Sequence, residues 1–124
     1  MSNIGLNTNI YHSTRIYLDL LNNFLVDFNY AKETGNNYKN EEVIKFFNRV
    51  SDSSYIDPET QILRSFFNRF YQTKKKSAES EIKKLIGKVE KENLDNNAIQ
   101  EIEELIEILK YECSQSYARM KGIR

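Results

Sequence analysis

The chain has no tryptophan, one proline, four glycines, one cysteine and one histidine in 124 residues. Each scarcity closes a route. So little glycine and proline leaves no material for the repeated tight turns of a β-sandwich or barrel. The single cysteine, Cys113, makes neither an internal disulfide nor a cysteine metal cluster, which fits a reducing compartment. The single histidine, His12, supplies no Glu-x-x-His pair on two helices, as a di-iron bundle requires. No arginine precedes it, so the arginine-then-histidine motif of helical ribonucleases is missing. Long apolar runs are missing too: nothing approaches the ~18–20 residues that span a membrane. The start of the chain mixes Asn, His, Arg and Asp, unlike the apolar centre of a signal peptide. These absences point to a cytoplasmic protein.

What is there reads as helix. Hydrophobic residues make up 40% of the chain and charged residues 29%, with 18 bases against 18 acids. That balance supports one folded domain rather than a disordered polyelectrolyte. Residues 1–9 are polar and expected to be disordered. From Tyr11 to Glu33 the spacing Thr14, Leu18, Leu21, Leu25, Phe28 alternates fours and threes, the mark of an amphipathic helix. Gly35, Asn36 and Asn37 supply left-handed C-cap chemistry. Asn40 is the expected N-cap of a short helix whose Val43, Ile44, Phe46, Phe47 and Val50 place apolar residues on most sides. Such a helix is either wedged in the core or partly exposed for a partner.

Asp57-Pro58-Glu59 is the strongest local signal: an aspartate cap, proline at the first helical position and an acid in the first turn. The helix it starts runs through Ile62, Leu63, Phe66, Phe67, Phe70 and Tyr71 to Lys74, Lys75 and Lys76. Two endings stay open there: a stop with Ser77 capping a new helix, or continuation through Ile82, Leu85, Ile86 and Val89. Asp95 caps the last helix, which repeats Ile99, Ile102, Ile106, Leu109, Cys113, Tyr117 and Met120. The fold expected is all-α, an antiparallel bundle of four to five helices in a single domain.

The distribution of charge is the main functional clue. Arg64 to Lys91 holds nine bases and three acids, whereas Glu92 to Glu112 holds seven acids and one base. A neutral total thus hides a dipole along the chain. In the basic half, Arg64, Asn68, Tyr71 and Lys75 recur at helical spacing. With Arg69, Lys74 and Lys76 they compose a candidate face for phosphates and a stacked base. In the acidic half, Glu101, Glu104 and Glu107 are candidates for docking on a basic partner, as acidic surfaces of immunity proteins and antitoxins do. Phe46 and Phe47 are candidates for an apolar protein contact. Glu101, Glu104 and the Glu103/Glu107 pair are close enough along the helix to approach one ion, yet a solvated face complementing the helix start explains them without a metal. Gly87 stands alone, with no phosphate-binding loop around it. No catalytic residue, metal or cofactor is expected, and the chain reads as a non-enzymatic bundle that binds a protein or itself. Nucleic-acid binding through Arg64 to Lys91 is the alternative. The richness in Asn, Lys and Ile suggests an AT-rich genome, with a prokaryote or phage as host.

Thr60-Gln61-Ile62-Leu63-Arg64-Ser65-Phe66-Phe67 resembles the Thr-Ser-x-Ile-Arg stretch of the small helical subunits of type III CRISPR effector complexes. Leu109-Lys110-Tyr111 through Tyr117-Ala118-Arg119 is loosely similar to a later helix of that family, whose aromatic-rich C-terminal helix has no counterpart here. The resemblance implies an accessory subunit lining a guide–target RNA duplex.

Overall fold

A computed structural model describes residues 4–35, 40–91 and 93–122. They form five helices and no strand: α1 (Ile4–Thr34), α2 (Glu41–Ser51), α3 (Pro58–Thr73), α4 (Ala78–Glu90) and α5 (Asn96–Lys121). The expected all-helical bundle is what is observed.

The two long helices form the spine. Leu18, Leu21, Phe24, Phe28 and Ala31 are buried along one stripe of α1. Ala98, Ile102, Leu105, Leu109, Cys113 and Ser116 form the corresponding stripe of α5. Both stripes step by threes and fours, so each helix keeps one face to the core over several turns. The helices run antiparallel, as the Tyr11 and Tyr117 rings show, with centroids 5.6 Å apart at the start of α1 and the end of α5. The helix α1 begins earlier than expected. Ile4 to Asn9, anticipated as disordered, already belong to it, and Ile10 is buried. Residues 1–3 lie outside the described part, as do Asn36 and Asn37 of the expected C-cap. Gly35 takes the left-handed conformation (φ 72°), and its N–H donates to the Ala31 carbonyl at 2.8 Å.

The short helices α2 and α4 pack on each other, antiparallel, and close the core from the other side. In α2 the buried residues are Val43, Phe46, Phe47, Val50 and Ser51. That is a single amphipathic stripe, which corrects the expectation of apolar residues on most sides. Phe47 is fully buried and Phe46 is 2% exposed. Phe46 stacks on Tyr17 of α1 at 4.2 Å and meets Phe67 of α3 edge-on at 6.0 Å. Two such rings at the junction of three helices contribute about 2–3 kcal/mol each by burial alone. They hold the fold together and are unavailable to a partner, so their assignment as a protein-contact surface is corrected.

Caps set the helix boundaries. Asp57 accepts from Thr60 N–H at 3.1 Å, Asp95 from Ala98 N–H at 2.8 Å, and Ser77 from Ser80 N–H at 3.4 Å. Asn40 sits at the predicted boundary but caps a different helix: its Nδ2 donates to the Val89 carbonyl, near the end of α4, at 3.0 Å. Between α3 and α4 the chain turns sharply. Lys76 N–H donates to the Tyr71 carbonyl at 3.0 Å and Lys75 N–H to Gln72 at 2.9 Å, with Lys75 left-handed at φ 57°. That is the double hydrogen bond of a Schellman ending. It stops α3 at Thr73 and resolves the two endings in favour of two helices.

Candidate functional site

The basic segment starts with Arg64, one helical turn after the buried Thr60. Its guanidinium reaches back across the α2–α3 loop. Nη2 donates to the carbonyls of Asp52 at 2.7 Å and Tyr55 at 2.8 Å, and lies 3.4 Å from that of Arg49. Nε donates to the Val50 carbonyl at 3.2 Å. Four carbonyls at and beyond the C-terminus of α2 thus share one cation, meeting the acceptors that a helix end leaves without intrahelical donors. Expected on a nucleic-acid face, Arg64 is instead bound inward to the backbone.

Tyr71 departs further from expectation. Expected on the same exposed face as Arg64, it is 1% exposed, and its hydroxyl donates to Glu101 Oε2 on α5 at 2.5 Å. Burial, reinforced by the hydrogen bond to Glu101 and by that residue's charge, drives the phenol well above its usual range. No base can stack on this ring. The correction has a plain geometric cause: Leu63, Phe67 and Tyr71 are four residues apart and follow the core stripe, whereas Arg64, Asn68 and Gln72 lie one step round the helix.

Most of the remaining cations of the segment meet acids. Lys74 Nζ lies 2.8 Å from Glu104 and 4.5 Å from the centre of the Phe70 ring. Arg69 is 3.4 Å from Glu112 and sits 5.5 Å over Phe66. Lys76 lies 4.0 Å from Glu81, Lys83 2.8 Å from Glu79, Lys84 3.7 Å from Glu81, and Lys88 3.4 Å from Asp95. Lys75 is exposed in the turn. The structure therefore brings three of the predicted basic-face residues (Arg69, Tyr71 and Lys74) against acids of α5, two of them the predicted Glu101 and Glu104. Glu107 stays on the surface, with Lys110 at 3.3 Å.

These cross-helix pairs frame a feature that sequence reasoning missed. The helices α3 and α5 touch only sparsely, and between them runs an open groove of about 540 Å³. Phe66, Phe70, Ile108 and Tyr111 line it, and Arg69 and Glu104 stand at its rim. Phe70 and Ile108 are half-buried, while Tyr111 is 62% exposed. The signal lay in the spacing of Ile108 and Tyr111, which falls off the core stripe of α5; it says that a residue is exposed, not what it stands beside.

Other candidate chemistry stays quiet. His12 is exposed at the start of α1, and Cys113 is 7% exposed in the core. No His, Cys, Asp and Glu group suited to a metal occurs among the described residues. The carboxylates of Asp57 and Asp95 are held below their usual range by their capping bonds, to the Thr60 side chain and the Ala98 N–H respectively. No helix among the described residues is long and apolar enough to cross a membrane.

The chain matches no family model, no curated protein and no solved structure. The short stretch that resembles CRISPR small subunits, Thr60–Phe67, holds the capping Arg64 and the core residues Leu63, Phe66 and Phe67.

Proposed function

We propose that this chain is a non-catalytic helical bundle that acts by binding protein along the groove between α3 and α5. One observation carries the reading: of the cations expected on a nucleic-acid face, all but Lys75 are held by carbonyls or acids of this chain, and Arg69 and Lys74 stand beside an apolar trough. Arg64 is taken up by carbonyls, and Arg69 and Lys74 by Glu112 and Glu104. An apolar floor with a polar rim is the usual anatomy of a protein contact. Its size and open shape suit the apolar stripe of a helix, recognised through residues at helical spacing. The acids proposed for a partner contact keep a part here, since Glu104 and Glu107 border the groove while Glu101 is engaged by Tyr71.

Selection from a displayed library of helix-forming peptides tests this. The expected binders carry an apolar stripe, bind the wild type, and bind Tyr111→Glu at least about tenfold more weakly, the loss typical of a central contact. Labelled RNA and DNA should stay unbound at about 50 mM salt, where phosphate contacts are strongest. Salt-sensitive micromolar binding to RNA that Lys75→Glu abolishes would replace this reading with the nucleic-acid one.

A further inference from the structure

We infer that the α3–α4 turn is a hinge: when it straightens, α3 and α4 become one helix, and two copies of this chain exchange α4 and α5 as a domain-swapped dimer. Whatever the groove binds, this exchange depends on the turn. The turn carries a cost of its own. Lys75 is left-handed at φ 57°, the one non-glycine with a positive φ among the described residues, and that conformation crowds its Cβ against a carbonyl oxygen. The Ser77 hydroxyl accepts from Ser80 N–H at 3.4 Å, a long capping bond. Nothing from Thr73 to Ala78 opposes a helix: the segment has neither glycine nor proline, and its three lysines are good helix formers. A continuous helix would also pair the last carbonyls of α3 with the first N–H groups of α4, which a helix break leaves without intrahelical partners.

The apolar stripes of the two helices are already in phase. Phe67, Tyr71, Ala78, Ile82, Leu85 and Val89 are all buried, and their steps of four, seven, four, three and four keep them on one face of a single helix. That helix, from Pro58 to Glu90, would be close in length to the 31 residues of α1. The hinge also divides the chain where exchange loses no packing. The two principal helix pairings, α1 with α5 and α2 with α4, both cross from the first three helices to the last two. When copies swap α4 and α5, each pairing re-forms with the other copy. The core is conserved, so the hinge and the chain concentration decide the balance.

The earlier connections lack this character. Asp57 and Pro58 start α3 afresh, and a proline inside a continuous helix would break it. After α1, the left-handed residue is Gly35, which takes φ 72° without a Cβ to crowd. In the swapped dimer each groove has α3 from one copy and α5 from the other. One assembly then carries two grooves, and a partner with two binding segments gains from their linkage.

Refolding from urea at chain concentrations of about 1 μM and about 1 mM, followed by size-exclusion chromatography with light scattering, tests the inference. The wild type should return as monomer at the low concentration and yield a slowly dissociating dimer at the high one. Lys75→Gly relieves the turn and weakens the straight helix. It should lower the dimer association constant about tenfold per hinge, or about a hundredfold for the two hinges of a dimer. Ser77→Ala removes the cap and favours the straight helix, so it should raise that constant by at least about tenfold. Exchange itself is read with Tyr11→Cys and Tyr117→Cys together in a Cys113→Ala background, because these rings are neighbours on helices that the hinge separates. A short bismaleimide should join two chains in the purified dimer and close within one chain in the monomer. A protein that stays monomeric at about 1 mM even as Ser77→Ala overturns the inference, as does a dimer that cross-links only within chains or that Lys75→Gly leaves unchanged.

Discussion

Replacing Arg64 by alanine should destabilise the fold by about 2–3 kcal/mol. The magnitude follows from what the guanidinium holds. A hydrogen bond from a charged donor typically contributes about 1.5–3 kcal/mol net. The bonds to the Asp52 and Tyr55 carbonyls are short, at 2.7 and 2.8 Å, but lie on the solvent side. Those to Val50 and Arg49 are more buried but long, at 3.2 and 3.4 Å. Neither pair deserves the full value, and water can replace part of the loss because the cleft beside Arg64 is open. Two bonds' worth at the low end of the scale is therefore the reasonable total. Urea unfolding followed by circular dichroism measures it as a shift in midpoint at unchanged slope. Arg64→Lys should recover less than half, since an ammonium on a flexible stem cannot span four carbonyls in a fixed fork. A loss below about 0.5 kcal/mol, the range of ordinary surface substitutions, would refute the capping role and return Arg64 to the pool of free cations.

Lys75→Gly should raise stability by about 1 kcal/mol, because Lys75 is left-handed at φ 57° and that conformation costs an L-residue about 1–2 kcal/mol, less glycine's greater entropy loss; thermal melts read the gain. Tyr71→Phe should lower stability at neutral pH by about 1–3 kcal/mol, since Glu101 loses a buried partner. Its pH profile is more telling: the native phenol is pushed up by burial and Glu101, so its contribution is complete below the unfolded value near 10 and is lost as pH rises beyond it. The wild type should therefore weaken steeply above about pH 10, and a flatter alkaline limb in Tyr71→Phe checks the assignment. At the other end, capping depresses the carboxylates of Asp57 and Asp95, so their contribution is present above about pH 4 and lost as acid protonates them; Asp57→Asn and Asp95→Asn should flatten that limb in urea midpoints taken against pH. Phe47→Ala should cost about 3–5 kcal/mol in the same urea assay, which identifies a core residue rather than a contact residue.

Legibility in the sequence tracked how local each interaction is. Asp57-Pro58 and Asp95 were readable because a cap and the N–H it accepts from are three residues apart. The end of α3 was not, because its left-handed residue is a lysine where glycine or asparagine is the usual marker. Asn40 illustrates the limit of residue-type reasoning: asparagine at a helix start was correctly placed, but its amide went to Val89, 49 positions away. The candidate site suffered most. Grouping Arg64 with Tyr71 took helical spacing as a single face. Seven residues make nearly two turns, and the slippage of about 20° that accumulates puts one side chain at the core edge and the other inside it. The groove itself depends on how far α3 stands from α5, which no periodicity within either helix encodes.

The charge reversal along the chain has an explanation that needs no nucleic acid. Cations are favoured at the C-terminal end of a helix and acids at the N-terminal end of the next, each by the macrodipole. In an antiparallel pair those two ends are neighbours. Lys74 is the C-cap of α3, Glu101 and Glu104 lie beyond the first turn of α5, and folding lays one end against the other, with Lys74 and Glu104 2.8 Å apart. Arg69, Lys74 and Lys88 thus meet acids of the later, acidic stretch, so part of the dipole seen in the sequence is offset in space. The energy of each exposed pair is small, about 0.2–1 kcal/mol, so these bridges do not secure the bundle. Their consequence is positional: by anchoring cations over Phe66 and Phe70 at the rim, they leave the floor between α3 and α5 apolar and open. A chain that had kept those cations free would present a phosphate-binding face in the same place, which is why the partner turns on where Arg69 and Lys74 point rather than on how many bases the segment holds.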